Sequence, residues 1–279
     1  KYGPGKLSGL MEEEDSMKRK KIYGIFMLVA IAVFLFAGGR ILQIYLNYQE
    51  SQKVYKQMEG FTQKIEDQDL SPEAVPGETP EEVAEQGVLQ VDFNKLEEIN
   101  PDVIAWIEIP GLEISYPVVQ GRDNDYYLHH LITGENHKSG SIFMDFHNQE
   151  DLSDRNTIIY GHNMKSGMMF GGLKNYLQEG YLDAHKYINF NTIYEKRTYE
   201  IVAVGLSKVQ YQDEDAYRYY DFITSTSAQD LEDFIQNVDS FAVYGNADGL
   251  TLQDKLLTLS TCNSYTEDGR LFVVAKQVQ

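Results

Sequence analysis

Eighteen consecutive residues near the start of the chain, Ile22 to Gly39 (IYGIFMLVAIAVFLFAGG), carry no charge. As a helix they cover roughly 27 Å, close to the thickness of a bilayer's hydrocarbon core. Lys18-Arg19-Lys20-Lys21 stands directly before the run, and only Arg40 follows closely. The positive-inside bias then makes residues 1–21 a cytoplasmic basic tail and 22–39 a single transmembrane helix, with everything after Arg40 outside. Two rival readings fit less well. A cleaved signal peptide has a shorter apolar core and a better small-residue cleavage site than Ala37-Gly38-Gly39-Arg40. A buried core helix does not explain four cations abutting an all-round apolar run.

The exported part is acidic. The whole chain has 24 Lys+Arg against 43 Asp+Glu, a net of −19, and residues 41–279 alone carry 17 against 39, a net of −22. Such an excess argues against a nucleic-acid binder, which needs clustered cations to neutralise phosphates. Cys262 is the only cysteine, which excludes an intrachain disulfide framework and any metal site needing two thiolates from one chain. A lone cysteine in an exported chain reads as a reactive or intermolecularly paired thiol, or as a buried inert one, and its residue type alone leaves these even.

Beyond the span, apolar residues recur at helical intervals from Ile41 to Ile65, so the membrane helix continues or restarts as an amphipathic helix. Pro72, Pro76 and Pro80 amid Glu, Asp and Gly mark residues 67–90 as a linker, so that residues 40–90 form an extracellular stalk ahead of a folded domain at 91–279. Asp92 is placed to cap a short helix bearing Leu96 and Ile99, which stops at Asn100-Pro101. Strands then dominate. They are read at 103–109, 112–120, 141–146, 157–160, 187–190, 199–209, 256–260 and 271–278, with helices only around Met169 to Leu177 and from a Ser227 N-cap through Val238. Short strands at close spacing predict a mostly β barrel or sandwich with flanking helices, and helices alternate too rarely for a doubly wound parallel sheet.

Cys262 ends the run Leu256-Leu257-Thr258-Leu259-Ser260-Thr261, and a strand anchored in a core is a rigid mount for a nucleophile. A thiol needs a nearby base or cation to react near neutrality. His162, after Ile158-Ile159-Tyr160-Gly161, lies at another strand end. Arg270 opens the strand that follows Cys262 after a seven-residue turn, so the Cys and Arg positions can meet across a hairpin. Arginine donates hydrogen bonds but cannot act as a base, which suits it to a developing oxyanion. Taken singly, His162 reads as a turn residue and Arg270 as a surface strand residue; the trio reverses both readings.

These residues resemble the sortases, the membrane-anchored cysteine transpeptidases of Gram-positive cell envelopes. The resemblance rests on Gly161-His162, then Thr258-Leu259-Ser260-Thr261-Cys262, then Arg270, and it spans about residues 90–279. Asn100 to Trp106 (NPDVIAW), Tyr116 to Gln120 (YPVVQ), Gly140 to Asp145 (GSIFMD) and the helix-bearing insertion between Val209 and Lys255 resemble class B members more narrowly. The resemblance implies a closed eight-stranded β-barrel with flanking helices and no cofactor or metal. It further implies that Cys262 attacks a threonine carbonyl in the C-terminal sorting signal of a secreted protein, giving a thioacyl intermediate. His162 then protonates the leaving amine and later deprotonates the incoming one, an amine of a peptidoglycan precursor or a pilin lysine. Arg270, with Thr261 and the backbone near Cys262, stabilises the oxyanion. Asn124, Leu128, Ser260 and Thr261 fall on the substrate-binding side, and class B members commonly read N-P-x-T-x signals in place of L-P-x-T-G.

Other residues take plainer readings. His129-His130 diverge as neighbours and cannot share a metal, His137, His147 and His185 read as loop and surface histidines, and Asp213-Glu214-Asp215 lacks the spacing of a calcium loop. Met164, Met168 and Met169 read as core filling before they read as a pliable groove, and Trp106 reads as core. A papain-like protease would place its cysteine before its histidine, and an L,D-transpeptidase would carry an S-x-G-C motif. From a different class, the rival is a catalytically silent, membrane-tethered acidic barrel that binds cationic partners. With no helix N-terminus or carboxylate at hand to favour an ion pair, the thiol and imidazole are expected to rest mostly uncharged.

Overall fold

The computed structural model describes residues 4–65, 88–208, 218–224, 227–262 and 269–278. They divide into two compact units, Lys1–Gln52 and Lys53–Gln279. Helix α1, Pro4–Glu59, continues unbroken past the apolar run, but it ends at Glu59, and the last residues of the expected amphipathic helix, 62–65, form a strand instead. Its chain holds no proline between Pro4 and Pro72 to interrupt it. Arg19–Glu59 contains a window of mean hydropathy 2.4 and is long and apolar enough to cross a membrane. In the first unit the large apolar side chains from Ile25 to Leu46 are exposed.

The second unit begins with the last turns of α1, which bury Tyr55 and Met58. After a turn at Gly60, strand β1 (Thr62–Ile65) pairs antiparallel with β2 (Val88–Val91). Residues 88–90, read with the linker in the sequence, belong to a strand here. Most of the expected linker, 66–87, lies outside the described residues, as do the acids at 213–215. Helix α2 (Phe93–Ile99) is capped by Asp92, whose side chain accepts from the Lys95 N–H.

Among the described residues nine strands form the main sheet: β3 (Val103–Ile109), β4 (Ile114–Gln120), β5 (Ile142–Met144), β6 (Asn156–Tyr160), β7 (Tyr187–Thr192), β8 (Lys196–Lys208), β9 (Ala242–Gly245), β10 (Leu256–Cys262) and β11 (Gly269–Gln277). Their order is β11-β10-β6-β5-β4-β3-β7-β8-β9, and β11 also pairs with β8. That pairing closes eight strands into a barrel and leaves β9 on the outside of β8, so the sheet has few free edges. Between β4 and β5 lies α3 (Tyr126–His129); α4 (Tyr181–Ala184) precedes β7, and α5 (Ala228–Phe241) follows a Ser227 cap that accepts from Gln229 N and Asp230 N.

Alternation along β10 and β11 assigns the two faces of the barrel wall. Leu256, Phe272 and Val274 pack outward with Ala203, Tyr219, Phe222 and the Leu231, Phe234 and Val238 stripe of α5. Leu257, Leu259, Leu271 and Val273, on the alternate face, are buried inside the barrel. Fully burying side chains of this size stabilises by about 1.5–3 kcal/mol each. Gly205 lets the Phe272 ring lie against the β8 backbone, where any Cβ would overlap it. Trp106 is fully buried, its Nε1 donating to Ser115 Oγ at 3.0 Å.

Three local expectations change. The strand expected at 141–146 shortens to Ile142–Met144, because Asp145 turns its backbone and side chain to a hydrogen-bond network. The helix expected from Met169 is a 3-10 helix, Phe170–Leu177, containing Gly171 and Gly172. His137 is buried, and its Nδ1 accepts from Ser139 N.

Candidate active site

The site grows from three neighbouring strand ends. In the antiparallel β10–β11 pair, Ser260 stands opposite Phe272, Thr261 opposite Leu271 and position 262 opposite Arg270. On the other side of β10, parallel β6 sets Tyr160 beside Ser260, and the Gly161 N–H donates to the Ser260 carbonyl at 3.3 Å. The chain therefore leaves β6 through Gly161-His162 next to the end of β10. Residues 162, 262 and 270, 108 positions apart at the extremes, are delivered to one end of the barrel by register alone.

His162 is held at both its ring and its backbone. Its Nε2 lies 2.8 Å from the Leu128 carbonyl oxygen. A carbonyl only accepts, so Nε2 carries the proton and Nδ1 is the nitrogen left for exchange. The His162 carbonyl accepts from Met164 N and Phe170 N at 3.1 and 3.0 Å, folding the following loop back on itself. That loop ends at Met169, whose φ of 54° is left-handed and whose N–H donates to the Tyr116 hydroxyl. A buried methionine in that conformation stores about 1–3 kcal/mol of strain. Met168 and Met169 are buried, in keeping with core filling.

Burial pushes the His162 imidazole below its ordinary range; the Leu128 carbonyl pulls the other way, while His129 and Arg270 push it further down. Arg270 is half-buried, with Nη1 donating to the Gly269 carbonyl.

The remaining expected residues separate into two groups. Leu128, on α3, and Asn124, just before it, are half-buried beside His162's anchoring carbonyl. Asn124 Nδ2 donates to Asp145 Oδ2 at 2.8 Å and its Oδ1 accepts from Phe146 N. Ser260 and Thr261 are both only 2% exposed. The Ser260 hydroxyl pairs with the Tyr219 hydroxyl at 2.7 Å, and Thr261 Oγ1 is buried with no hydrogen-bond partner among the described residues. Both side chains are buried among the described residues. Among the described residues no group of three or more His, Cys, Asp or Glu could hold a metal ion.

Leu128's carbonyl, Asp145 and Tyr160 escape a reading of the sequence. A backbone oxygen leaves no mark in residue type, but Asp145 does leave one, as an acid ending the apolar run Ile142-Phe143-Met144.

A closed eight-stranded barrel that gathers His, Cys and Arg positions at paired strand ends defines a cysteine transpeptidase. The sortase domain family matches residues 107–278. Sortase B of Listeria monocytogenes is 34% identical over 266 residues, covering 94% of this chain and 99% of the relative. Sortase B of Staphylococcus aureus is 30% identical over 265 residues, with the same coverage. Among solved structures, sortase B from B. anthracis in complex with AAEK1 superposes with a TM-score of 0.65 at 29% identity, covering 84% of this chain and 99% of that one. The chain therefore belongs to the sortase family, and its relatives are of class B.

Proposed function

We propose that this transpeptidase cleaves the C-terminal sorting signal of secreted proteins after threonine and joins the new carboxyl end to an amine of the cell wall or of a pilin lysine. The observation that carries this reading is the register that sets position 262 opposite Arg270 while Gly161 N bonds the Ser260 carbonyl. In the proposed cycle Cys262 passes its thiol proton to His162 Nδ1, and the resulting thiolate attacks the threonine carbonyl carbon, forming a C–S bond. Arg270 donates hydrogen bonds to the oxyanion, and His162 delivers a proton to the departing amine as the C–N bond breaks. In the second half the acceptor amine loses its proton to His162, attacks the thioester and releases the thiol. With Nε2 held by Leu128, the proton transfers run through Nδ1. Asn124 and Leu128 line the peptide groove, with Ser260 and Thr261 forming the wall behind it.

The apolar helix and its basic flank support a single membrane span with the N-terminus cytoplasmic and the barrel outside. The test is incubation of the full chain in detergent micelles with N-P-x-T and L-P-x-T peptides and an amine acceptor, read by mass spectrometry. A thioacyl adduct on Cys262 and a ligated product are expected. If Cys262→Ala, His162→Ala and Arg270→Ala all leave cleavage and ligation unchanged, the reading is wrong and a silent binding barrel takes its place.

A further inference from the structure

Asp145 is a buried carboxylate, 3% exposed, that the reaction above does not use. Its Oδ2 accepts from Asn124 Nδ2 at 2.8 Å and from the Tyr160 hydroxyl at 2.9 Å. Its Oδ1 accepts from the His147 N–H at 2.8 Å and lies 2.8 Å from His147 Nδ1. A carboxylate is expensive to remove from water unless donors fill its oxygens, and both oxygens are filled here.

The origin of the two donors on Oδ2 is what matters. Tyr160 sits two residues before His162 at the end of β6, while Asn124 sits four residues before Leu128, whose carbonyl holds the His162 ring. Oδ2 thus joins the two segments whose relative position sets the His162 geometry. It also orients Asn124. An ionised carboxylate only accepts, so Nδ2 must face it, and Oδ1 is occupied by Phe146 N at 3.0 Å. Among the described residues one Nδ2 hydrogen has no acceptor.

We propose that Asp145 is a positioning residue of the active site: its buried carboxylate ties the Asn124–Leu128 segment to the His162 strand, keeping the Leu128 carbonyl on the imidazole and the Asn124 amide as an N–H donor toward a carbonyl of the bound peptide. This rests on the roles proposed above for His162 and Asn124. Substrate contact is left to Asn124, and Asp145 acts through it.

The test compares Asp145→Ala, Asp145→Asn and Tyr160→Phe with the wild type in the full chain. It reads peptide kinetics and the NMR titration of the ¹³C-labelled His162 ring, whose charged neighbours, His129 and Arg270, are unchanged in every variant. Glu108→Ala serves as the control, since Glu108 is another buried carboxylate, paired with Lys64 and Asn189 away from these segments. Asp145→Ala is expected to lower kcat/KM by about tenfold or more and to move the His162 titration to lower pH, because the carbonyl bond that favours the imidazolium is loosened. Tyr160→Phe should move both in the same direction by less, and Asp145→Asn, which keeps an acceptor oxygen, should recover part of the loss. Wild-type titration and kinetics in Tyr160→Phe and Asp145→Asn, or losses no larger than those of Glu108→Ala, overturn the proposal. If Asp145→Ala does not fold, the other two variants decide. A wild type that forms no thioacyl adduct sinks the transpeptidase reading instead, and the His162 titration still decides for or against Asp145.

Discussion

The His162 ring is oriented by a backbone atom: its Nε2 lies 2.8 Å from the Leu128 carbonyl oxygen. A carbonyl fixes the tautomer as a carboxylate would, without contributing a full negative charge to stabilise the imidazolium. Burial then dominates and holds the ring neutral at rest.

The first prediction follows from that balance. His162 titrates below its ordinary value of about 6.5, so between that value and its folded value the unfolded chain binds more protons than the folded one. Its contribution to stability is therefore lost as pH falls through this window. Urea unfolding from pH 7.5 down to pH 5 should show His162→Gln losing less stability than the wild type over the same range. Equal slopes would mean the ring is not depressed.

A second prediction concerns the carbonyl itself, which substitution reaches only indirectly. Gly140 has a φ of +55°, and a Cβ there would come 2.5 Å from the Leu128 oxygen and 2.7 Å from that of Tyr127. Gly140→Ala should lower stability by about 1–3 kcal/mol and, by displacing the Leu128 oxygen, depress kcat/KM beyond what the melting loss accounts for. Full activity in the folded variant would show that the carbonyl's position is not critical.

The barrel and the strand register that sets position 262 opposite Arg270 were legible in the sequence for related reasons. Strand alternation reports burial directly, and β10 and β11 are adjacent in sequence, so the Cys262–Arg270 juxtaposition needs only a hairpin. His162 was harder, because its approach depends on a parallel pairing between strands about one hundred residues apart, which no local pattern encodes. Leu128's role belongs to a backbone atom. The Ser260–Tyr219 hydrogen bond was not legible, because Tyr219 is brought back from the insertion. Strand β2 was absorbed into the linker because four residues carry too short a period to stand out.

A third prediction tests how the last turns of α1 are held. The Tyr55 hydroxyl donates to the Gly140 carbonyl at 2.7 Å and also lies 3.2 Å from Ser141 Oγ, while its ring meets Tyr116 edge to face. Burial raises its pKa well above the ordinary tyrosine value, so it remains a donor at any working pH. Tyr55→Phe leaves the buried Gly140 carbonyl without that donor and should cost about 1–3 kcal/mol. Tyr55→Ala adds a cavity and should cost about 3–5 kcal/mol. Chemical denaturation of the two variants checks the order; a Phe variant as stable as the wild type would mean the hydroxyl contributes nothing net.

The last prediction separates structure from chemistry at Thr261. Its Oγ1 is buried and has no hydrogen-bond partner among the described residues, although burying a hydroxyl without one carries a desolvation penalty. Thr261→Val keeps the branched shape and removes the hydroxyl, so it should leave stability unchanged or raise it by about 1 kcal/mol. If the hydroxyl acquires its partner only when an oxyanion forms beside Cys262, the same variant should lower kcat while KM and stability hold. If packing is its whole task, kcat stays at the wild-type value. A loss of stability in Thr261→Val would contradict both outcomes, because it requires a bond that is absent among the described residues.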